Sequence, residues 1–261
     1  MNKNIQRENT QSTKIFDHRS LANDYRTLVP LLKKGMRVLD VGCGTGAITK
    51  DIANAIGPEG SITGIDNTKS FIESGQSTYA TVSNMQLLHA DIFKFEPEDR
   101  FDLIVSARVL QWLSNPLEAL LKMKTLLRPD GILSILDYNH TKIEWAPAIP
   151  HSMRQFYDTF LKWRSNAGMD NEIADHLPEL MATAGFHSIE VFNSDEYYDR
   201  SRTDFQAKTG IWSKVAGSSQ MVEEGYLDDD LRLLAIREYD AWVEREAVSM
   251  TMKLKEVRGV N

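Results

Sequence analysis

Residues 38–46 read Val-Leu-Asp-Val-Gly-Cys-Gly-Thr-Gly. A short apolar run that ends in glycine is typical of a buried parallel strand. The glycines at 42, 44 and 46 allow the backbone to turn sharply and to approach a ligand without Cβ atoms in the way. The segment therefore predicts a strand, a ligand-binding loop and the start of a helix, in that order.

Short apolar segments alternate with helical periodicities on both sides of this loop. Strands and helices that alternate in this way predict βαβ units and a mostly parallel sheet. Pro30 must bend or end the first of the predicted helices. We predict strands over 37–41, 61–66, 85–89, 101–107 and 132–137, and helices over 20–33, 47–56, 68–82 and 116–127.

The pattern changes after residue 138, where turn-rich and helical segments prevail. Helices are predicted over 153–163, 171–184 and 204–248, and strands over 187–192 and 250–255. We expect a mobile tail over residues 1–15 and one domain over residues 16–261. Within that domain the predicted parts are a cofactor-binding half at 34–138, a helical lid or acceptor region at 139–186 and 197–248, and the last strands at 187–196 and 249–258.

Composition narrows the classes of partner. The chain has 261 residues, of which 42% are hydrophobic and 26% charged, and its formal net charge is −7. These values are ordinary for a globular protein, and the negative charge disfavours nucleic acids and anionic membranes as partners. We find no apolar run near the roughly 20 residues that cross a bilayer, no secretory signal and no zinc-type spacing of His and Cys. The single cysteine, Cys43, fits a reducing compartment, so we predict a cytoplasmic protein without a metal.

Three aspartates lie within or just after predicted strands, close to the loops that follow those strands. Asp40 lies in the strand before the glycine loop, where it would repel a pyrophosphate and attract a ligand that carries an ammonium and a sulfonium. Asp66 ends the second strand and can accept hydrogen bonds from both hydroxyls of a ribose. Asp91 follows the third strand and can accept from an adenine amino group, while the Ile92 N–H donates to a ring nitrogen. The three acids favour S-adenosylmethionine over NAD, although the glycine loop also satisfies the dinucleotide-binding fingerprint.

Residues 19–138 resemble the class I S-adenosylmethionine-dependent methyltransferases. The segments that carry this resemblance are residues 38–46 as the first motif, Gly64-Ile-Asp66 as the ribose-binding acid, His89-Ala-Asp91 as the adenine motif, residues 101–107 as the fourth strand, and residues 126–131 as the turn before the fifth. The resemblance implies an α/β fold: a Rossmann-like, seven-stranded, mostly parallel sheet flanked by helices, with an antiparallel last strand near Met250 and a helical lid insertion. It also implies a set of cofactor-binding residues, namely Asp40, Gly42, Gly44, Thr45, Asp66, Asn67, Asp91, Ile92 and Ala107. To these we add Cys43 and Gly46 of the glycine loop, and Tyr25 as a candidate cover for adenosine.

The hypothesis that follows is a methyltransferase that uses S-adenosylmethionine, releases S-adenosylhomocysteine and acts on a small organic acceptor by in-line displacement. Proximity and exclusion of water would supply most of the catalysis, so no catalytic triad is expected. His140 is the candidate general base. Candidates for the acceptor pocket are Arg108, Trp112, Tyr138 and Trp145.

Alternatives stay open at this point. His140 is also compatible with a structural hydrogen bond in a loop, Trp112 with a core position, and Asp91 with a helix cap. At the level of function, the alternatives are an NAD(P)-dependent reductase and a non-catalytic protein that binds S-adenosylmethionine.

Overall fold

A computed structural model describes residues 19–261 of the chain. The tail predicted over residues 1–15 lies outside the described residues. The strands are β1 (Arg37–Val41), β2 (Ser61–Asp66), β3 (Met85–His89), β4 (Phe101–Ala107), β5 (Leu127–Ala146), β6 (His187–Asn193), β7 (Glu196–Asp199) and β8 (Ser249–Val260). The α-helices are α1 (Leu21–Asp24), α2 (Ala47–Ile56), α3 (Lys69–Thr78), α4 (Pro116–Leu126), α5 (His151–Asn166), α6 (Ile173–Thr183), α7 (Phe205–Thr209), α8 (Ile211–Ala216), α9 (Gln220–Glu223) and α10 (Asp229–Arg245). Short 3-10 helices lie at Arg26–Leu31, Ile92–Lys94 and Leu110–Trp112.

The strands that the structure describes form one sheet in the order β3-β2-β1-β4-β5-β8-β6, and β7 also pairs with β8. Neighbours among β1 to β5 are parallel, whereas β8 runs antiparallel to β5, β6 and β7. The predicted mostly parallel sheet with an antiparallel last strand is therefore confirmed. The strand order reverses at β1, which lies between β2 and β4, and ligands bind at the carboxyl ends of strands at such a point.

The sheet has eight described strands rather than the predicted seven. β7 has only four residues, too few to show a clear alternation, and all but its first residue lie in the region predicted as lid. β5 continues to Ala146 instead of ending at Asp137, because its far end pairs with β8 up to Ala146 opposite Ser249. The register of this pairing shifts between Asn139 and Glu144, which marks a bulge.

Two apolar cores cover the two faces of the sheet. Successive residues of β1 alternate between them: Val38 lies in the core that α2 covers, and Leu39 lies in the core that α4 and α6 cover. The first of these cores continues into aromatic residues of α5 and α10, such as Phe156 and Trp242. The helices of the predicted lid are thus packed on the same core as the sheet.

The stretch predicted to be helical over 204–248 contains four helices, α7 to α10. Gly210 and Gly217 lie at the two ends of α8, and Gly225, with φ +74°, lies between α9 and α10. Glycine costs free energy inside a helix and adopts positive φ easily, so it ends helices that apolar spacing alone would continue. The segment predicted as a helix over 20–33 divides in a similar way, into α1 and a 3-10 helix that contains Pro30.

Tyr25 lies in the interior between the N-terminal segment and β5. Its hydroxyl is 2.9 Å from the Ser134 carbonyl oxygen and 2.8 Å from Ser134 Oγ. Ser134 Oγ donates to Glu256 Oε1 over 2.5 Å, and the same carboxylate accepts from Arg258 Nε at 2.7 Å. The ring of Tyr25 is 1% exposed, which is not the position that a cover for adenosine needs.

Replacing Tyr25 by Phe should lower the free energy of unfolding by about 1–2 kcal/mol, because a buried hydrogen bond to Ser134 is lost. Urea unfolding of Tyr25→Phe measures the effect, and Tyr197→Phe is the matched control because Tyr197 is 54% exposed. We expect the affinity for S-adenosylhomocysteine to stay unchanged. A loss of that affinity with unchanged stability would contradict the core position and support the adenosine cover.

Candidate functional site

The glycine loop is held by backbone hydrogen bonds to the end of β2. The N–H groups of Gly42 and Cys43 donate to the Ile65 carbonyl oxygen at 2.8 and 3.0 Å. The three glycines have φ values of +76°, +58° and +87°, which side chains rarely allow. A Cβ atom at Gly42 would lie 2.2 Å from Cγ2 of Val109, so this position tolerates only glycine.

The carboxylate of Asp66, at the end of β2, holds the glycine loop by a hydrogen bond. Its Oδ2 accepts from the Gly44 N–H at 3.0 Å, and its Oδ1 accepts from the Thr68 N–H at 2.8 Å. A carboxylate has about four acceptor sites, so each oxygen keeps capacity for a ligand hydroxyl. Asn67, beside it, is exposed at the carboxyl edge of the sheet. This arrangement suits a ligand that presents a pair of hydroxyls.

The carboxyl group of Asp40 is buried beneath the loop. Its Oδ2 accepts from Thr49 Oγ1 of α2 at 2.6 Å. Among residues 19–261 it forms no ion pair with a lysine or arginine. Burial, and then the nearby Asp66, raise the pKa of Asp40 to about 6 despite the Thr49 hydrogen bond. A buried carboxylate without a cation is costly, so this position is complementary to a cationic ligand group.

Asp91 and Ile92 follow β3 at the same edge. The Asp91 carboxylate is exposed, and its Oδ1 accepts from the Phe93 N–H at 3.0 Å, which caps the 3-10 helix Ile92–Lys94. The cap that sequence reasoning held open as an alternative is therefore present, and the second oxygen of this carboxylate faces no partner that the structure records among residues 19–261. Ile92 is buried and continues the second core.

The remaining predicted loop residues are small or buried. Thr45 is buried at the start of α2, and Cys43 is half-buried, its Sγ 3.6 Å from the Gly44 carbonyl oxygen. Burial raises the pKa of the Cys43 thiol well above its usual value, so the thiol stays protonated. Ala107 ends β4 next to the loop, and Val109 contacts the position of Gly42. The segment after β4 therefore adjoins the glycine loop directly.

His140 lies in the bulge of β5 and is buried. Its Nε2 is 2.6 Å from Gln111 Oε1, its backbone N–H donates to the Asn171 carbonyl oxygen at 2.7 Å, and its carbonyl oxygen accepts from the Tyr157 hydroxyl at 2.6 Å. Burial, and then the cation of Arg164, lower the pKa of His140 well below 6.5. The imidazole is therefore neutral at pH 7.

Aromatic rings surround this imidazole in what we call the aromatic cluster: Tyr138, Trp145, Tyr157, Phe160 and Trp212. The His140 ring centroid lies 5.3 Å from that of Tyr138, 6.1 Å from that of Phe160 and 6.0 Å from that of Trp212. Trp145 joins the cluster through Trp212, at 6.3 Å. The rings come from β5, α5 and α8, so the cluster lies where the sheet meets the helices of the predicted lid.

Arg108 connects the loop after β4 to three other elements. It is buried with φ +63°, and its Nε donates to the Tyr138 hydroxyl at 2.8 Å. Its Nη2 donates to the Asp24 carbonyl oxygen at 3.1 Å and pairs with Glu196 of β7. Burial raises the pKa of Tyr138 to about 12, so the phenol remains a neutral partner of this guanidinium. Arg108 thus lines the cluster through Tyr138.

The structure brings Arg108, Tyr138, His140 and Trp145 together at the cluster. Trp112 is half-buried beneath the Arg164 guanidinium, which lies 4.7 Å from its ring centroid and 5.4 Å from that of Phe160 in the cluster. Trp112 also packs against the first core, to which three rings of the cluster belong.

Sequence reasoning missed several residues that complete the site: Thr49, Gln111, Arg164 and Trp212. Gln111 was visible as the polar centre of Leu110–Trp112, directly after a strand end, and that position is the signal that could have found it. Trp212 gave no such signal, because it stood within one long helical pattern.

Within the described part of the chain, no three His, Cys, Asp or Glu side chains are placed to hold a metal ion. Nor does any helix between residues 19 and 261 have the length and apolar character needed to cross a bilayer.

Comparison with known proteins identifies the family. Residues 32–197, more than half of the chain, match the methyltransferase domain family. The chain therefore belongs to this family, and its resemblance to the class I S-adenosylmethionine-dependent methyltransferases is confirmed. A demethylmenaquinone methyltransferase of Staphylococcus aureus is 32% identical over 133 residues, which cover 51% of this chain and 52% of that protein. The chain thus spans about half the length of the curated relatives it matches.

Solved structures confirm the architecture. Phosphoethanolamine N-methyltransferase 2 of Haemonchus contortus, in complex with S-adenosyl-L-methionine, has a TM-score of 0.58 at 14% identity and covers 92% of this chain and 52% of its own. The [4+2]-cyclase SpnF has a TM-score of 0.55 at 20% identity and covers 94% of this chain and 84% of its own. At these identities the likeness concerns the fold alone, and the two activities differ.

Replacing Asp40 by Asn should stabilise the protein at neutral pH. The folded-state pKa of about 6 lies above the ordinary value of 3.8, so the carboxyl group costs stability once it ionises. Asp40→Asn should raise the free energy of unfolding by roughly 1–3 kcal/mol at pH 7 and by nearly nothing at pH 4, with the difference growing between these values. Urea unfolding at several pH values measures this. An equal difference at pH 4 and pH 7 would contradict the assignment of the raised pKa to Asp40.

Proposed function

We propose that the protein binds S-adenosylmethionine at the glycine loop and transfers its methyl group to a small organic acceptor beside His140. The observation that carries this proposal is the buried carboxylate of Asp40, which has no cationic partner among the described residues. The ligand's ammonium and sulfonium would supply that partner, whereas a pyrophosphate would add a second negative charge. Family membership supports the same ligand.

The residues at the carboxyl edge of the sheet fit this cofactor part by part. We assign the methionine end to Asp40, Gly42, Gly44, Thr45 and the backbone near Ala107. We assign the ribose to Asp66 and Asn67, and adenine to Asp91 and Ile92. When bound, S-adenosylmethionine supplies a methyl group on a sulfonium that leaves as a neutral thioether. The chain's own part is to hold the acceptor in line with that methyl and to exclude water, because such a displacement is accelerated mainly by positioning.

The acceptor pocket is assigned to the aromatic cluster and Arg108. His140, neutral at pH 7, is proposed as the group that takes a proton from the acceptor. The demethylmenaquinone methyltransferase to which the chain is similar has, by its name, a small organic acceptor, which supports this class of substrate. A cytoplasmic location remains a prediction from the sequence.

The deciding experiment is calorimetric titration of the purified chain with S-adenosylhomocysteine and S-adenosylmethionine, with NADPH as the comparison. Binding of the first two alone supports the proposal. Binding of NADPH instead would support a reductase and overturn the interpretation of Asp40. A broad acceptor panel with detection of S-adenosylhomocysteine then separates an enzyme from a protein that only binds the cofactor, since the fold alone also occurs in the cyclase SpnF.

Replacing Asp66 by Ala should weaken binding of S-adenosylhomocysteine at least about tenfold, because a charge-assisted pair with the ribose and the support of the Gly44 N–H are lost together. Calorimetry measures the change. Asp230→Asn is the control, because Asp230 is exposed on α10 and far from the loop in the sequence. An unchanged affinity in Asp66→Ala would refute the ribose assignment.

A further inference from the structure

We propose that Gln111 is a positioning residue that holds His140 in the neutral form with its proton on Nε2, so that Nδ1 accepts the proton of a phenol-type acceptor. This inference rests on the proposed function, because it names the substrate class of the same site. It also adds a residue, Gln111, that lies outside the predicted set.

The orientation of the Gln111 amide is set by its other partners. Its Nε2 donates to the Arg108 carbonyl oxygen at 3.2 Å. A carbonyl oxygen can only accept, so the atom of the amide that faces it must be the nitrogen. The amide oxygen is therefore the atom that faces His140, at 2.6 Å from Nε2 of the ring. Because an amide oxygen also only accepts, Nε2 of His140 carries the proton, and Nδ1 carries the lone pair.

The backbone of Gln111 is held as firmly as its side chain. Its N–H donates to Asp137 Oδ2 at 3.1 Å, and its carbonyl oxygen accepts from Arg164 Nη2 at 2.8 Å. The residue is 2% exposed. With its backbone held in this way, the side chain can turn from His140 only by breaking its two buried hydrogen bonds, to His140 and to the Arg108 carbonyl oxygen, so it selects one tautomer.

Nδ1 of His140 is a buried acceptor with no hydrogen-bond partner among residues 19–261. His140 as a whole is 4% exposed. Buried polar atoms are almost always paired in folded proteins. Trp212 Nε1, in the same aromatic cluster, is likewise a buried donor without a partner in the described part of the chain. One acceptor and one donor within a cluster of rings are complementary to a hydroxyl group, which donates and accepts at once.

Charges around the imidazole decide between kinds of acceptor. The titratable or charged side chains near it are Asp137 and Tyr138 of β5, Arg108 of the loop after β4, and Tyr157 and Arg164 of α5. Arg108 is paired with Glu196, and the charge that, after burial, lowers the pKa of His140 is that of Arg164. A cation beside the imidazole disfavours an ammonium group, and the surrounding rings favour a flat molecule. A phenol meets both conditions.

The transfer step balances in atoms and charge. The phenol oxygen forms a bond to the methyl carbon as the carbon–sulfur bond breaks, and the hydroxyl proton moves to Nδ1. One positive charge leaves the sulfonium and one arrives on the imidazole. A weak base is sufficient here, because an oxygen that gains a methyl group before losing its proton is strongly acidic. The imidazolium then releases its proton to water once the product has left.

Nitrogen-15 NMR of the histidine-labelled full chain tests the tautomer without any turnover. The His140 signals are assigned by their loss in His140→Gln. We expect a protonated Nε2 and a bare Nδ1, and a ring that stays neutral down to well below pH 6.5. A protonated Nδ1 would overturn the inference. A protonated Nδ1 would leave binding of S-adenosylhomocysteine intact. Failure of this inference can therefore be told apart from failure of the proposed function.

Gln111→Glu separates positioning from a merely structural role. A carboxylate still accepts from Nε2–H but adds a negative charge beside it, so the pKa of His140 should rise by at least about one pH unit in the NMR titration. Gln76→Glu is the matched control, because Gln76 also donates through Nε2 to a backbone carbonyl, that of Leu87, but lies on α3. A folded Gln111→Glu protein with an unchanged His140 titration would contradict the contact.

The acceptor class is tested with 2-naphthol in the presence of saturating S-adenosylhomocysteine. We expect binding that shifts the Nδ1 resonance of His140, and no such shift with 2-methoxynaphthalene, which has the same ring but no proton to donate. His140→Gln should weaken the binding of 2-naphthol at least about fivefold, in keeping with loss of one buried hydrogen bond. Absence of binding, or binding without a shift at Nδ1, would overturn the assignment of a phenol-type acceptor.

Discussion

The carboxylate of Asp66 accepts one backbone N–H from the glycine loop and another from the residue before α3. The first hydrogen bond joins the loop after β1 to the end of β2 and holds the loop in its left-handed conformations, whereas the second fixes the carboxylate itself in the turn before α3. The Val109 side chain packs against Gly42, so the segment after β4 is positioned by the same loop. That segment carries Arg108 and Gln111. The geometry of the proposed acceptor pocket thus depends on a carboxylate that we assign to the cofactor site.

The parallel half of the fold could be predicted from the sequence because its signals are local. Each buried strand is a continuous apolar run, and glycines mark the loops between strands and helices. The extension of β5 and the existence of β7 depend instead on pairing with β8, which lies more than a hundred residues beyond the start of β5. Such pairing leaves no local pattern in a four-residue strand. The number of strands and the end of β5 were therefore beyond sequence reasoning.

The candidate site divides in the same way. Asp40 and Asp66 could be predicted because their chemistry follows from their place at strand ends next to a glycine loop. Tyr25 was assigned to the cofactor, but a ring at helical spacing carries no sign of which side it packs on, and the hydrogen bond to Ser134 draws it into the core. Gln111 was overlooked because its role depends on the bulge in β5 that places His140 opposite it.

Arg108 connects the aromatic cluster to other parts of the molecule. A non-glycine residue at φ +63° costs roughly 1–3 kcal/mol, and the buried ion pair with Glu196 and the bond to the Tyr138 hydroxyl offset that cost. Its contacts connect α1, β5 and β7, so three separate segments must be in place before the guanidinium is satisfied.

The central position of β8 has a consequence for the order in which the molecule is made. β8 lies between β5 and β6 and also pairs with β7, yet it follows all three in the chain. A ribosome therefore releases β5, β6 and β7 while their common partner is still unsynthesised, so each of these strands has an edge that still lacks its partner. Unpaired strand edges are templates for aggregation. This half of the sheet can therefore be completed only after residues 249–260 have been synthesised, which makes the last strand of the chain the one that closes the sheet.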